Sequence, residues 1–300
     1  MSPIELVVPV FSLIAVGWLL AKIGLAGDNW VSALNDYAYY VAFPALMLAS
    51  LATRPLSGLG AMIVVNAAYL VVSMGLAFLT SRVLRLDRTL TATLVFSGSF
   101  GNIVYMGFPL AERAFGDFGL TLAAGIASTH LAVMLSIGLA LAQAVTLGRV
   151  DVSGIAKRVG KVPLFWAAAA GLLLSTLEPK FPELVVYPLQ SLGRSASPVA
   201  LFALGAFLGN RGLGTKISRP LTVSAYKLIV LPVIAYALSA AAGLQGAQMG
   251  CTLLLSAAPL AVTNFVVADK FQLDREAVAA AIVLSTLCSV LTLSALAVLL

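Results

Sequence analysis

The chain has 300 residues, of which 61% are hydrophobic and only 10% charged, with a net charge of +6. A soluble domain carries about 25% charged residues, so this composition excludes one and indicates a multi-pass membrane protein. The basic residues are few and lopsided, which reads as membrane topology and not as a nucleic-acid surface.

Apolar segments of about 20 residues cross the roughly 30 Å hydrocarbon core of a bilayer. The sequence predicts ten, at about 4–22, 31–53, 58–82, 89–113, 118–147, 161–177, 186–209, 218–243, 247–268 and 273–300. The start, Met1 to Glu5, lacks the basic residues of a signal peptide, so the first run is read as a retained helix. Cys251 and Cys288 lie in apolar runs with no Cys/His cluster nearby, which supports neither a disulfide framework nor a metal site. No P-loop is present, so neither an ATP engine nor a cofactor is expected.

Ten spans put both termini on one side. One face of the membrane receives thirteen basic residues: Lys22, Arg82, Arg85, Arg88, Arg149, Lys157, Arg158, Lys161, Arg211, Lys216, Arg219, Lys270 and Arg275. The other receives three, Arg54, Arg113 and Lys180. Positive charge stays in the cytoplasm, which sets both termini outside. Five spans per half is an odd number. Two homologous halves, 1–147 and 161–300, joined by a cytoplasmic loop at 148–160, must then lie in opposite senses. Short matches occupy corresponding places. Pro44 is followed by Ala-Leu-Met-Leu in the second span, and Pro198 by Val-Ala-Leu-Phe in the seventh. The pattern TLxxS recurs at 93–97 and 252–256, in the fourth and ninth spans. The predicted fold is an all-α membrane protein of ten transmembrane helices, built as two inverted five-helix repeats with broken, crossing helices 4 and 9.

The breaks carry the chemistry. In the fourth span, Gly101, Asn102, Gly107 and Pro109 interrupt an apolar run; in the ninth, Pro259, Thr263 and Asn264 do so. Proline removes a backbone donor and clashes with the preceding turn. Paired breaks in two halves mark a transporter's binding site, where half-helix N-termini offer N–H groups and partial positive charge to an anion. Asn102, Ile103, Tyr105, Thr263 and Asn264 are the candidate substrate residues. Lys227 lies mid-span, where a charge is expensive, and should face a cavity or a partner. His130, the sole histidine, is a candidate proton-linked group. Asn66 lies within a span and is placed to bond another helix or the substrate. Arg194 lies in the outer half of the seventh span, within reach of the interface as well as of a ligand. Glu112 and Arg113 read as an exposed loop pair.

These residues resemble the auxin efflux carrier family, which includes plant auxin carriers and bacterial permeases for malonate and related acids. The run Asn102 to Leu110 is similar to its first-crossover signature, Asn-x-x-x-Met-Gly-x-Pro-Leu. Pro259 with Phe265-Val-Val-Ala-Asp-Lys-Phe271 is similar to the second, and Asn35 to Leu48 and Lys227 to Pro232 also look familial. The resemblance spans the chain. It implies a fold of the NhaA and bile-acid-symporter type in the bacterial inner (plasma) membrane. Helices 1, 2, 6 and 7 would form a scaffold and dimer surface, and helices 3–5 and 8–10 a moving transport domain. It makes Asn102 the substrate-facing amide. Asn264 stands where plant carriers have a second proline, and their long central loop is absent here.

The expected function is secondary transport of a small carboxylate by alternating access, with H+ or no coupling ion favoured over Na+. The partners are that anion, the lipid bilayer and a second copy of the chain, with no nucleic acid. Two alternatives stand beside it. One is a sodium-coupled carrier of the bile-acid-symporter type. The other is an intramembrane serine hydrolase, because Ser97-Gly-Ser-Phe-Gly101 approaches a nucleophile elbow with His130 as base.

Overall fold

A computed structural model describes residues 3–52, 59–177, 182–211 and 217–298. Arg54, Lys180 and Lys216, counted in the charge bias, lie outside the described residues. All regular structure among the described residues is helical, apart from one isolated backbone bridge.

In the first half, α1 (Pro3–Lys22) precedes α2 (Asp28–Tyr37) and α3 (Phe43–Ala52), which are joined by a π-helical turn at Ala38–Ala42. α4 (Gly60–Val83) follows, then the short α5 (Arg88–Phe96). The chain restarts with a π turn at Ile103–Gly107 that runs into α6 (Phe108–Val133). Gly116 divides α6 with φ 61° and ψ −151°, a conformation that side chains resist. The turn is sharp: a Cβ on Gly119 would lie 2.0 Å from the Ala111 carbonyl oxygen. A further π turn at Met134–Gly138 leads into α7 (Leu139–Leu147).

In the second half, α8 (Val152–Val159) meets α9 (Pro163–Leu177) at a bend of 68°. α10 (Glu183–Gly209) is the longest rod of this half. α11 (Ser218–Ala225) and α12 (Leu231–Ala241) are joined by a π turn at Tyr226–Val230. α13 (Gly246–Ser256), α14 (Thr263–Lys270) and α15 (Arg275–Ala297) complete the order. Six helical rods are long and apolar enough to cross a membrane among the described residues, or seven if the bent α8–α9 pair is one span. The outward faces are apolar, with Leu184 86%, Val83 80% and Leu291 75% exposed. Such side chains suit lipid, whereas contiguous exposure of this kind in water would drive association.

Three of the four π turns end two residues before a proline: Ala38–Ala42 before Pro44, Ile103–Gly107 before Pro109, and Tyr226–Val230 before Pro232. Proline has no N–H for the carbonyl four residues back, and its ring crowds that carbonyl. Widening the turn to a π bulge relieves both faults without ending the helix. Pro109 is therefore a widener here, and the interruption of the fourth predicted span lies before it, at 97–102. Pro259, by contrast, lies inside its interruption, 257–262.

Contacts between elements fix which termini share an end. Arg113 donates to the Glu5 carbonyl from Nη2 at 2.6 Å and Nε at 3.1 Å. That end holds the start of α1 and the close of the first part of α6. At the other end, Asn210 donates to the Ala26 carbonyl at 3.2 Å. Arg219 bridges Asp87 and Asp274, each at 2.6 Å. Those two carboxylates also cap α5 and α15, accepting from the Leu90 and Ala277 amides at 2.9 and 3.0 Å. α1 packs along α10 with almost no side chain between them: a Cβ on Gly205 would stand 1.9 Å from the Ile14 carbonyl oxygen.

Candidate functional site

The two interruptions touch. Gly101 and Leu260 form an antiparallel bridge, in which the Asn102 amide donates to the Pro259 carbonyl at 2.7 Å and the Ala261 amide to the Phe100 carbonyl at 3.1 Å. Lipid cannot satisfy unwound backbone, so the two breaks satisfy one another. Side chains finish the task. The Leu260 amide donates to Ser285 Oγ on α15 at 3.1 Å, and Asn264 Nδ2 donates to the Phe100 carbonyl at 2.9 Å. The breaks need each other to exist at this depth, and this is why residues so far apart in sequence meet here.

Two helices restart from the crossing, one at Ile103 and one at Thr263. Each presents the positive end of a helix dipole, although the Asn264 and Phe265 amides already donate to the Ala261 and Val262 carbonyls at 3.0 Å. Asn102 is the residue before the first restart and is buried, at 3% exposure. Its Nδ2 has no hydrogen-bond partner, and neither do Asn264 Oδ1 and Ser97 Oγ. A buried donor left unpaired costs about 1–3 kcal/mol. Thr263 is half-buried in the first turn of α14. Ile103 and Tyr105 are buried, and the Tyr105 ring stacks on Phe43 with centroids 5.0 Å apart.

Lys227 is 1% exposed and reaches the crossing from the π turn before α12. Its Nζ donates to the Ser256 carbonyl at 2.5 Å. Ser256 is the last residue of α13, so the ammonium sits on the negative end of that helix dipole. It also lies against Gly101: a Cβ there would stand 2.7 Å from Lys227 Cε and 2.9 Å from Nζ. Only glycine admits the lysine at this point. Lys227 thus brings its side-chain nitrogen beside the residue that precedes Asn102.

Behind the crossing lies a second polar layer. Asn66 donates to Thr252 Oγ1 at 3.0 Å and to the Met62 carbonyl at 2.9 Å, which ties α4 to α13. Tyr69 Oη and His130 Nε2 are 2.7 Å apart, joining α4 to α6. Tyr226 donates to the Ser73 carbonyl, and Ser73 to Ser99 Oγ at 3.0 Å. Asn66 is thus a bond between helices. His130 has its Nδ1 unpaired and is held by a tyrosine, with no bond to Ser97 or Ser99 among those found. The serine–histidine pair of the hydrolase alternative does not form.

Arg194 stands apart from this cluster. It is exposed and lines a cavity of about 120 Å³ with Glu112, Asp117, Thr121 and Ser197, at the end that holds Glu5 and Arg113. Glu112 and Arg113 are exposed, as expected, but Arg113 bonds the Glu5 backbone. Sequence reasoning missed Ser285 and the Ser256 carbonyl. The serine has no distinguishing neighbours, and a carbonyl has no sequence signature; the TLxxS match ending at Ser256 was the only available signal.

Comparison with known proteins gives the family. A family model described as "Membrane transport protein" matches residues 3–148 and 155–297. A protein of Rhizobium meliloti named "Putative malonate transporter" is 30% identical over 308 residues, covering 97% of this chain and 93% of its own length. An "Uncharacterized transporter" of Methanothermobacter thermautotrophicus is 27% identical over 297 residues, covering 98% and 97%. A third relative, from Methanocaldococcus jannaschii and also named as an uncharacterized transporter, is 23% identical over 307 residues. These are transporters and not enzymes. With apolar rods, two mutually satisfied breaks and a family model running through both halves, the chain belongs to the membrane transport protein family, the auxin efflux carriers whose signature its first crossover carries.

Proposed function

We propose that this chain is a secondary carrier that moves a small carboxylate across the membrane by alternating access. The anion binds at the crossing of the two breaks, held by Asn102 Nδ2, the Thr263 hydroxyl and the amides at Ile103 and Thr263, with the Lys227 ammonium close by; Asn264, whose Nδ2 is given to the Phe100 carbonyl, lines the site without donating to the anion. The observation that carries this reading is the buried, unpaired Nδ2 of Asn102 at the head of a restarting helix. A desolvated carboxylate needs several donors to replace its hydration, and Asn102 Nδ2 and the Ser97 hydroxyl are buried donors left unpaired at this point. Malonate is the first anion to test, because a relative is named for it.

Counting each broken rod as one span gives ten, and TLxxS ends α5 and α13 alike, in keeping with an inverted duplication. The scaffold is then spans 1, 2, 6 and 7, and the carrier spans 3–5 and 8–10. Both termini face outward, and the scaffold forms a homodimer. Lys227 also bears on coupling. The carbonyl at the end of α13 is where a sodium ion would find oxygen, and an ammonium already takes it. We therefore favour uniport or proton coupling over sodium.

A thermal-shift screen of mono- and dicarboxylates tests both points. A ligand that binds only the folded protein raises its melting temperature in a concentration-dependent way. Malonate should do so equally in sodium and in choline salts. A shift that appears only with sodium would remove the lysine from its proposed role, and no shift with any carboxylate would remove the anion site.

A further inference from the structure

We infer that Phe43 and Phe207 are the two gate residues of the carrier, each closing the crossing from one side of the membrane. The inference rests on the proposed binding site and deepens it. Asn102 and Asn264 are almost wholly buried, so something must separate them from water at both ends. On one side, Phe43 of α3 stacks on Tyr105 at 5.0 Å with an interplanar angle of 23°, and lies 6.2 Å from Phe108. On the other, Phe207 of α10 meets Phe265 of α14 edge-on at 6.1 Å. Arg211 lies over both of these rings, at 5.4 and 5.3 Å, and Arg275 lies over Phe265 at 4.6 Å.

The two pairs share one construction. Each takes one ring from α3 or α10, which pack on each other, and one from the first turn after a break. Tyr105 belongs to the π turn that leads toward Glu112 and Arg113, and so toward the end that holds Glu5. Phe265 belongs to α14, which leads toward Lys270 and Arg275, and Phe207 precedes Arg211 by one turn at that same end. The crossing thus lies between the pairs. Stacked and edge-on rings exclude water over a large area with little directional commitment, so they can part and reclose. Moving the carrier rings against the α3–α10 pair would open one seal at a time.

The two seals differ in a way that sets their order. On the Phe43 side, polar space comes to within one helical turn: the cavity lined by Glu112 and Arg194 also touches Leu46, one turn beyond Phe43. On the Phe207 side, two guanidinium groups lie over the rings and add cation–π attraction. The structure corresponds to a closed state whose Phe43 side is the lighter door.

The test is side-selective access to the crossing. A Ser97→Cys reporter, with Cys251 and Cys288 replaced by alanine, is reacted with a membrane-impermeant thiosulfonate from either face of sealed vesicles. Phe43→Ala should speed modification at least tenfold from the Glu5/Arg113 face and leave the other face unchanged. Phe207→Ala should do the reverse. Equal acceleration from both faces, or none from either, would overturn the assignment. Phe43→Leu and Phe207→Leu keep the bulk and remove the ring; they should give smaller shifts on the same faces, and they serve if an alanine variant does not fold. The malonate-dependent melting shift, read on the same variants, reports on the anion site separately. Its loss alongside intact side-selectivity would strike the ligand and leave the gates standing.

Discussion

Replacing Lys227 with methionine is expected to cut carboxylate uptake about a hundredfold, because an uncompensated buried anion costs several kcal/mol and each 1.4 kcal/mol is a factor of ten. Methionine has a comparable stem, so the space beside Gly101 stays filled. Two effects on the empty protein oppose each other. The Ser256 carbonyl loses a charged partner, worth about 1.5–3 kcal/mol. The fold, in turn, no longer buries an ammonium. The unliganded variant should therefore still fold and melt near the wild type, while uptake of radiolabelled malonate into proteoliposomes collapses. Uptake equal to wild type across pH 5–8 would make Lys227 a structural tie and nothing more.

Asn102→Ala should act with opposite signs on the empty and the loaded protein. In the empty protein Nδ2 is buried and unpaired, so deleting it removes a penalty of about 1–3 kcal/mol; the variant should be as stable as wild type or more so. In the loaded protein the same nitrogen donates to a carboxylate, and its loss should weaken binding by about 1.5–3 kcal/mol, or roughly 10- to 150-fold. Calorimetric titration with malonate, beside a melting curve without it, reads the two together. A destabilised empty protein with unchanged affinity would show that Asn102 is a structural amide.

Much of this arrangement was legible in the sequence. Gly101, Asn102 and Pro259 stand out in apolar runs because nothing in lipid tolerates them without internal partners. Lys227 stood out for the same reason, at a depth where charge is rare. What failed to show was the pairing. The bridge from Gly101 to Leu260 is made of backbone, and backbone is the same in every residue. Pro109 looked like the breaking point because an isolated helix would yield there. The chain instead absorbs the proline as a π turn and breaks ten to twelve residues earlier, among Ser97, Gly98 and Ser99. His130 read as an open proton site because its partner, Tyr69, lies 61 residues away on another helix. Phe43 was passed over beside the more conspicuous Pro44, since an aromatic ring in an apolar segment carries no mark of its own.

The most direct test of an anion held where the two breaks meet is protection of that point from chemistry. A single cysteine at Thr263, in a background with Cys251 and Cys288 replaced by alanine, is labelled with N-ethylmaleimide over a range of malonate concentrations. The labelling rate should fall along the same saturation curve that malonate gives in the melting temperature. A malonate that stabilises the protein yet leaves labelling at 263 unchanged would place the anion elsewhere.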